Sequence, residues 1–264
     1  MARYRLAFDL HTHTVFSHGK GTIEDNVAVA REKGLKRLGI SDHGPGHALY
    51  GVRRGRFAEM RAEVDRLNRL YPDIEISLGL EANIASPSGR LDLEGGELAM
   101  FDYVMAGYHF GAFGEAPLYA ASLAVRNWIG GIAGRWGRKL VAANTDLVEK
   151  AIYENRIFAL THPGDKGAVD IEAVARACAA RGVLFELNAA HGGLSEGDLA
   201  LAARCGVRFL IGSDAHSPER VGEFGGAVGL ALRAGIDLGR IVNLVEEDTG
   251  DGAEGGEGAG KWMS

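Results

Sequence analysis

A chain of 264 residues, 46% hydrophobic and 24% charged, can bury a large core and has the composition of a soluble globular protein, which excludes the disordered and fibrous classes. Of the formal charge of -6, Glu246, Glu247, Asp248, Asp251, Glu254 and Glu257 against Lys261 account for -5, leaving -1 for the body. A body this balanced argues against a general nucleic-acid coater.

No run approaches about 18 apolar residues, and MARYRLAFDLHTH enters a strand-like segment without a signal core, so no membrane association is expected and a cytoplasmic location follows by default. Cys178 and Cys205 fall inside helix-like patterns, as reduced thiols rather than a disulfide framework.

In chain order, Arg5 to His11 reads as a strand, followed by a helix from Thr22, its N-cap, to about Lys33, with Gly34 as the stop. Arg37 to Ser41 is the second strand, and a loop carrying Arg53, Arg54 and Arg56 leads to a helix over 57–70. Ile74 to Glu81 and Asp102 to His109 are the next strands, with a polar connection and a helical turn over 91–98 between them. Residues 111–142 break the rhythm and are read as an insertion. Asn144 then caps a helix to Asn155, Ile157 to Thr161 is a strand, and Asp170 to Arg181 a helix. Val183 to Leu187, a helix from Ser195 to Cys205, and Val207 to Gly212 follow. Pro218 to Val245 is expected to supply closing helices, and 249–264, acidic and Gly-rich, a disordered tail after one domain over 1–248. Seven alternating strand and helix units predict a mostly parallel sheet with helices outside, an α/β fold.

Parallel strands of this kind carry their sites in the loops at their carboxyl ends. Seven of nine histidines, His11, His13, His18, His43, His109, His162 and His216, fall at or just past such ends, as do Glu81 and Asp214. Singly, each histidine is more often a surface or hydrogen-bonded core residue. Together, nine nitrogen and carboxylate donors without cysteine suit Zn, Mn or Fe and are too many for one ion of four to six ligands. His11 and His13, two apart on a strand, face the same way and form half a site.

The runs Asp9-Leu10-His11-Thr12-His13 with Ser17-His18, Ser41-Asp42-His43-Gly44, Gly79-Leu80-Glu81-Ala82-Asn83, Gly107-Tyr108-His109, Thr161-His162-Pro163 and Gly212-Ser213-Asp214-Ala215-His216 resemble, in this order, the PHP (polymerase and histidinol phosphatase) family. The likeness extends over about 5–245, apart from the insertion, and is nearest to the stand-alone bacterial PHP phosphatases. It implies a distorted seven-stranded (β/α) TIM-like barrel holding three divalent metal ions. His11, His13, Glu81 and Asp214 would bind the first, Glu81, His109 and His162 the second with Glu81 bridging, and His18, His43 and His216 the third.

Such a cluster implies hydrolysis of a small phosphorylated substrate, a phosphate monoester, by a hydroxide bridging two ions, with the third ion and an arginine neutralising the phosphate oxygens. Arg53, Arg54 and Arg56 are candidates to grip that phosphate, or else the solvated start of a helix. His191 is a candidate general acid, or else a plain loop histidine. Asp9 and Asp42 either orient ligand imidazoles or accept backbone hydrogen bonds. The insertion is read as a lid contributing Trp128, Arg135 or Trp136, with an oligomer contact as the rival. The alternatives in function are a 3′-5′ nuclease, against which the neutral body weighs, an amidohydrolase, and a non-catalytic metal-stabilised scaffold.

Overall fold

The computed structural model describes residues 4–247. Two short strands open the chain, β1 (Tyr4–Leu6) and β2 (Phe8–Asp9), where one strand from Arg5 to His11 was expected. The helix α1 (Ile23–Glu32) follows, capped by Thr22 and Asp25, whose side chains each accept the other's backbone N–H. Then come β3 (Arg37–Ile40), α2 (Phe57–Leu70), β4 (Glu75–Asn83) and β5 (Tyr103–Gly107). The chain continues through α3 (Pro117–Ile132), α4 (Arg138–Glu154), β6 (Ala159–Leu160), α5 (Ile171–Arg181), β7 (Leu184–Asn188), α6 (Glu196–Arg204) and β8 (Phe209–Gly212).

Strands β2 to β8 pair in sequence order, all parallel, as a seven-stranded sheet. Past β2 and β8 the edges meet: Thr12 bridges Ala215 in parallel, and His13 N donates to Ala215 O at 2.8 Å. The sheet is thereby a nearly closed barrel at its carboxyl end. Leu10, Tyr103, Met105, Ala159, Leu184 and Leu210 pack together as a small buried cluster, with the Tyr103 hydroxyl donating to Leu10 O at 2.6 Å. A larger core packs the helices' apolar residues, such as Val27, Met60, Val148, Val174 and Leu199, against strand residues Leu38, Leu78, Val104 and Ile211.

The closing segment departs from expectation. Only Gly225–Arg233 forms an α-helix, α7, between 3-10 turns at Pro218–Arg220 and Leu238–Arg240, and Leu244–Glu246 forms a strand, β9, antiparallel to β1. Asn144 is not a cap: α4 begins six residues earlier, at Arg138, and Asn144 is buried inside it. Its amide exchanges two hydrogen bonds with Asn127 of α3 (2.8 and 2.9 Å) and donates to Ala168 O. The segment 111–142 is therefore mostly helical, α3 plus the first turn of α4. The expected tail of 249–264 lies outside the described residues.

Candidate metal centre

The nine candidate ligands come together at the carboxyl end of the barrel, delivered by six different strand ends. Glu81, from β4, is 1% exposed and stands at the centre. Its Oε1 faces His162 Nε2 (2.8 Å), His109 Nε2 (3.3 Å) and His11 Nε2 (3.5 Å), and also accepts from the Thr161 hydroxyl at 2.7 Å. Its Oε2 faces His43 Nδ1 (3.0 Å) and His13 Nε2 (3.6 Å). Asp214 Oδ1 lies 3.1 Å from His13 Nε2, 3.5 Å from His11 Nε2 and 3.4 Å from His216 Nδ1. The His18 ring stacks within 4.9 Å of His43 and lies 4.2 Å from His216.

Hydrogen-bond partners at Nδ1 orient three rings. His11 Nδ1 lies 2.5 Å from Glu186 Oε1 and donates to it, which leaves Nε2 as the nitrogen that faces Glu81 and Asp214. His109 Nδ1 lies 2.9 Å from Asn83 Oδ1. The Asn83 amide nitrogen donates to Asp92 (2.5 Å) and Gly44 O (3.1 Å), which fixes Oδ1 as the acceptor and the His109 proton on Nδ1. His216 Nδ1 donates to Asp214 O at 2.9 Å. In His109 and His216, whose pKa values burial lowers, the remaining nitrogen is left as an acceptor.

His109 Nε2 lies 3.1 Å from His162 Nε2, but other ligand atoms of the cluster have no hydrogen-bond partner. Among the described residues, buried atoms without a hydrogen-bond partner include His11 Nε2, both nitrogens of His13, His43 Nδ1 and Glu81 Oε2. Buried polar atoms are normally paired, and lone pairs that converge on one another are stabilised by a cation between them. The donor set fits divalent metal on that ground. Three triads bring ligand atoms within 4.8 Å of one another: His11, His13 and Asp214; His13, His43 and His216; and His43, Glu81 and His109. His13 and His43 each belong to two, so the clusters are contiguous.

Electrostatics follow from burial and from these neighbours. Burial opposes charge on Glu81, yet the imidazoles of His109, His11 and His43 hold its carboxyl well below the usual range, and Asp214 is held low in the same way by His11 and His13. Burial, with like-charged neighbours, lowers His13 well below the ordinary imidazole value, His109 to about 3 and His18 to about 4. His11 moves the other way: burial is outweighed by Glu186, Asp214 and Glu81, and its pKa is raised well above normal.

The backbone is strained at two of these positions. His162 (φ 29) and Asp214 (φ 50) are non-glycine residues at positive φ, a conformation that persists only where surrounding contacts enforce it. Glu186 enforces the first by accepting from His162 N at 2.7 Å. Gly212 makes this possible, since a Cβ there would lie 2.2 Å from Glu186 Oε1 and 2.8 Å from His11 Cβ.

The other sequence candidates are placed as follows. Asp9 accepts from the backbone of Gly222 (2.8 Å), His11 and Ser213, and Asp42 accepts from Thr14 N (2.7 Å), the Thr14 hydroxyl (2.6 Å) and the Ser17 hydroxyl (2.5 Å). Both tie down the rim loops rather than an imidazole. Arg54 bonds to Asp92 O and pairs with Glu97 (3.0 Å each), and Arg56 pairs with Glu59 and lies over the Phe16 ring. Arg53 is exposed, and among the described residues its backbone carbonyl accepts from Arg56 N at 2.8 Å while its guanidinium has no hydrogen bond or ion pair. His191 Nε2 lies 3.1 Å from Asp214 Oδ2, and its Nδ1 3.5 Å from Asp165. Trp128 and Arg135 are exposed, and among the described residues neither has a ring contact or ion pair with the cluster.

Sequence reasoning missed Glu186, Asn83, Asp92 and Tyr50, whose ring stacks on His18 at 4.3 Å. A signal existed for Glu186. In Leu184-Phe185-Glu186-Leu187-Asn188 a lone carboxylate sits in the middle of a buried strand, where it persists only with a partner.

Fold and site together define a distorted (β/α)7 barrel with a histidine and carboxylate cluster at its carboxyl-terminal rim. The chain belongs to the PHP domain family, whose model matches residues 9–190. A probable phosphatase of Shewanella sp. (strain MR-4) is 32% identical over 245 residues, covering 89% of this chain and 86% of that one. A probable phosphatase of Shewanella sediminis (strain HAW-EB3) is 31% identical, with 90% of each chain covered. Among solved structures, a histidinol phosphate phosphatase from Lactococcus lactis subsp. lactis Il1403, in complex with zinc, L-histidinol and phosphate, has the same fold (TM-score 0.57, 13% identity, 87% and 94% coverage). No helix among the described residues is long and apolar enough to cross a membrane.

Proposed function

We propose that the protein is a metal-dependent phosphoesterase that hydrolyses a small phosphate monoester. The observation that carries this reading is the Glu81 carboxylate, whose two oxygens face different sets of imidazole nitrogens, several of them without hydrogen-bond partners. The probable-phosphatase relatives and the zinc and phosphate bound by the Lactococcus protein support it.

His11, His13, Glu81 and Asp214 would hold one ion, Glu81, His109 and His162 a second, and His18, His43 and His216 a third, with Zn, Mn and Fe all suited to such donors. When bound, these ions lower the pKa of water and neutralise phosphate oxygens. The protein's own part is to orient the imidazoles through Glu186, Asn83 and the Asp214 carbonyl, and to keep Glu81 and Asp214 ionised. Arg53, whose guanidinium is uncommitted near the end of the connection between β3 and α2, is assigned to the substrate phosphate. His191, poised between Asp214 and Asp165, is assigned to proton donation to the leaving oxygen. Arg54 and Arg56 are given a loop-anchoring role, and Trp128 and Arg135 no role in binding substrate.

The test is metal analysis of purified protein combined with phosphate release from sugar phosphates, histidinol phosphate, nucleotides and short single strands. Preference for a monoester, lost in Glu81→Ala, is the expected result. A preference for single strands with release of nucleotides from the 3′ end would establish the nuclease alternative instead, and metal-loaded protein inert on every class would favour the scaffold.

A further inference from the structure

Helix α3 carries an apolar face that the barrel does not cover. Its inner face is closed by Ala120, Leu123, Asn127 and Gly130, all buried. Outward it presents Leu118 (87% exposed), Val125 (56%), Trp128 (59%), Ile129 (54%) and Ile132 (70%). Leu118, Val125 and Ile132 are spaced by seven, with Ala121 and Trp128 between them, which is the seam of a helix-helix pair. Scattered exposed apolar residues need no explanation, but a continuous stripe of this size marks a contact surface.

We propose that α3 is the contact between two copies of this chain, packed antiparallel about a two-fold axis at Val125. A two-fold contact requires that if residue i meets residue j, then j meets i. The outward residues satisfy this about Val125. Leu118 faces Ile132, Ala121 faces Ile129, Ser122 faces Trp128 and Val125 faces its own copy, so the two largest overlaps, at Ile129 and Trp128, are each set against a small side chain. In the same register Glu115, just before the helix, lies opposite Arg135, just after it, which supplies charge complementarity at both ends. Glu115 pairs with Arg90 within the chain, but that pair is exposed on both sides and readily exchanged.

The area is sufficient. Aromatic side chains bury about 150–250 Å² each, and the branched aliphatic ones here lie toward the lower end of that scale. On that scale the five leave on the order of 600 Å² open per copy, so pairing removes roughly 1,200 Å² from water, the lower end for a specific interface. An anionic bilayer is the competing occupant, since 116–145 contains Arg126, Arg135, Arg138 and Lys139 and no acidic residue. The geometry favours the second copy. An interfacial helix is rich in Lys and Arg along its solvent-facing flanks, whereas Arg126 is the one charged residue that α3 itself carries.

The experiment is sedimentation of the full chain, with metal content and circular dichroism as controls for folding. Wild type is expected to dimerise in the micromolar range. Val125→Glu, which sets two carboxylates against each other on the axis, should weaken the dimer at least about 30-fold with folding and metal content unchanged. Glu115→Arg should weaken it, and adding Arg135→Glu in the same chain should restore it. Under oxidation Val125→Cys should cross-link to itself, while Ser122→Cys should cross-link best to Trp128→Cys. A monomer at 100 times the micromolar range, a dimer indifferent to Val125→Glu, or monomers that bind anionic vesicles through α3 would each overturn the proposal.

Discussion

Glu186 Oε1 stands 2.5 Å from His11 Nδ1, and the same carboxylate's Oε2 accepts from the strained His162 backbone N–H at 2.7 Å. One strand residue thus orients candidate ligands from two other strands. Removing the carboxylate releases both the orientation of His11 and the turn at His162. Glu186→Gln is expected to lower metal affinity about 10- to 100-fold, the usual cost of losing such a partner, as measured by competition with a chromogenic chelator. Gly212→Ala should act on the same link by driving a methyl group into Glu186, and an unchanged affinity in both variants would detach Glu186 from the metal site.

Glu81 is asked to serve both halves of the cluster. Glu81→Ala should therefore cost more than one equivalent of bound metal per chain and bring phosphate release to background. His11→Ala should lose metal from its own side first. Elemental analysis after gel filtration reads both outcomes, and full metal content with intact activity in either variant would sink the mechanism.

The buried imidazoles give the metal-stripped protein a defined pH response. His109 has a folded pKa of about 3 against an ordinary value of 6.5, so below 6.5 the unfolded chain binds a proton that the folded chain does not. Stability from this group is present above pH 6.5 and is lost as pH falls toward 3, at up to about 1.4 kcal/mol per pH unit. His11, raised above 6.5, works in the opposite sense: its contribution is present below 6.5 and is lost as pH rises through the folded value. Urea titrations of chelator-treated protein between pH 6.5 and 4.5 should show a shallower decline for His109→Asn than for wild type. Equal slopes would mean that His109 titrates normally.

Asn127 and Asn144 join α3 to α4 through a closed pair of amide hydrogen bonds, with a third bond to Ala168 O. Asn127→Ala strands a buried amide and should cost about 1–3 kcal/mol, visible as a lowered urea midpoint at unchanged slope. Asn127→Leu with Asn144→Leu should recover part of that loss, because neither side-chain amide is left unpaired and only the bond to Ala168 O is forfeited.

The barrel and the nine candidate ligands were legible because they depend on short-range regularities. Strand and helix alternation follows from hydrophobic periodicity and caps such as Thr22 and Asp170, and two-residue spacing puts His11 and His13, or Asp214 and His216, at one strand end. Glu186, Asn83 and Asp92 were not legible as partners. Asn83 and Asp92 are unremarkable polar residues in the sequence and Glu186 shows only as a lone carboxylate in an apolar run, and hydrogen bonds across 175 or 26 residues of sequence leave no local pattern that names a partner. The segment 111–142 misled for the reverse reason: its outward apolar face mixes with its inward one, so the periodicity of α3 is blurred in the sequence and resolves only when the buried and exposed sides are separated.

What the sequence by itself determined was the set of candidate donors and the rim on which they stand, since chain-local geometry sends strand ends to one side of a parallel barrel. The tertiary structure decided which arginines remain uncommitted, which carboxylates orient imidazoles and which merely anchor loops. Those outcomes hang on distances of a few tenths of an ångström between groups far apart in the chain, and only closure of the barrel brings such groups within hydrogen-bonding range.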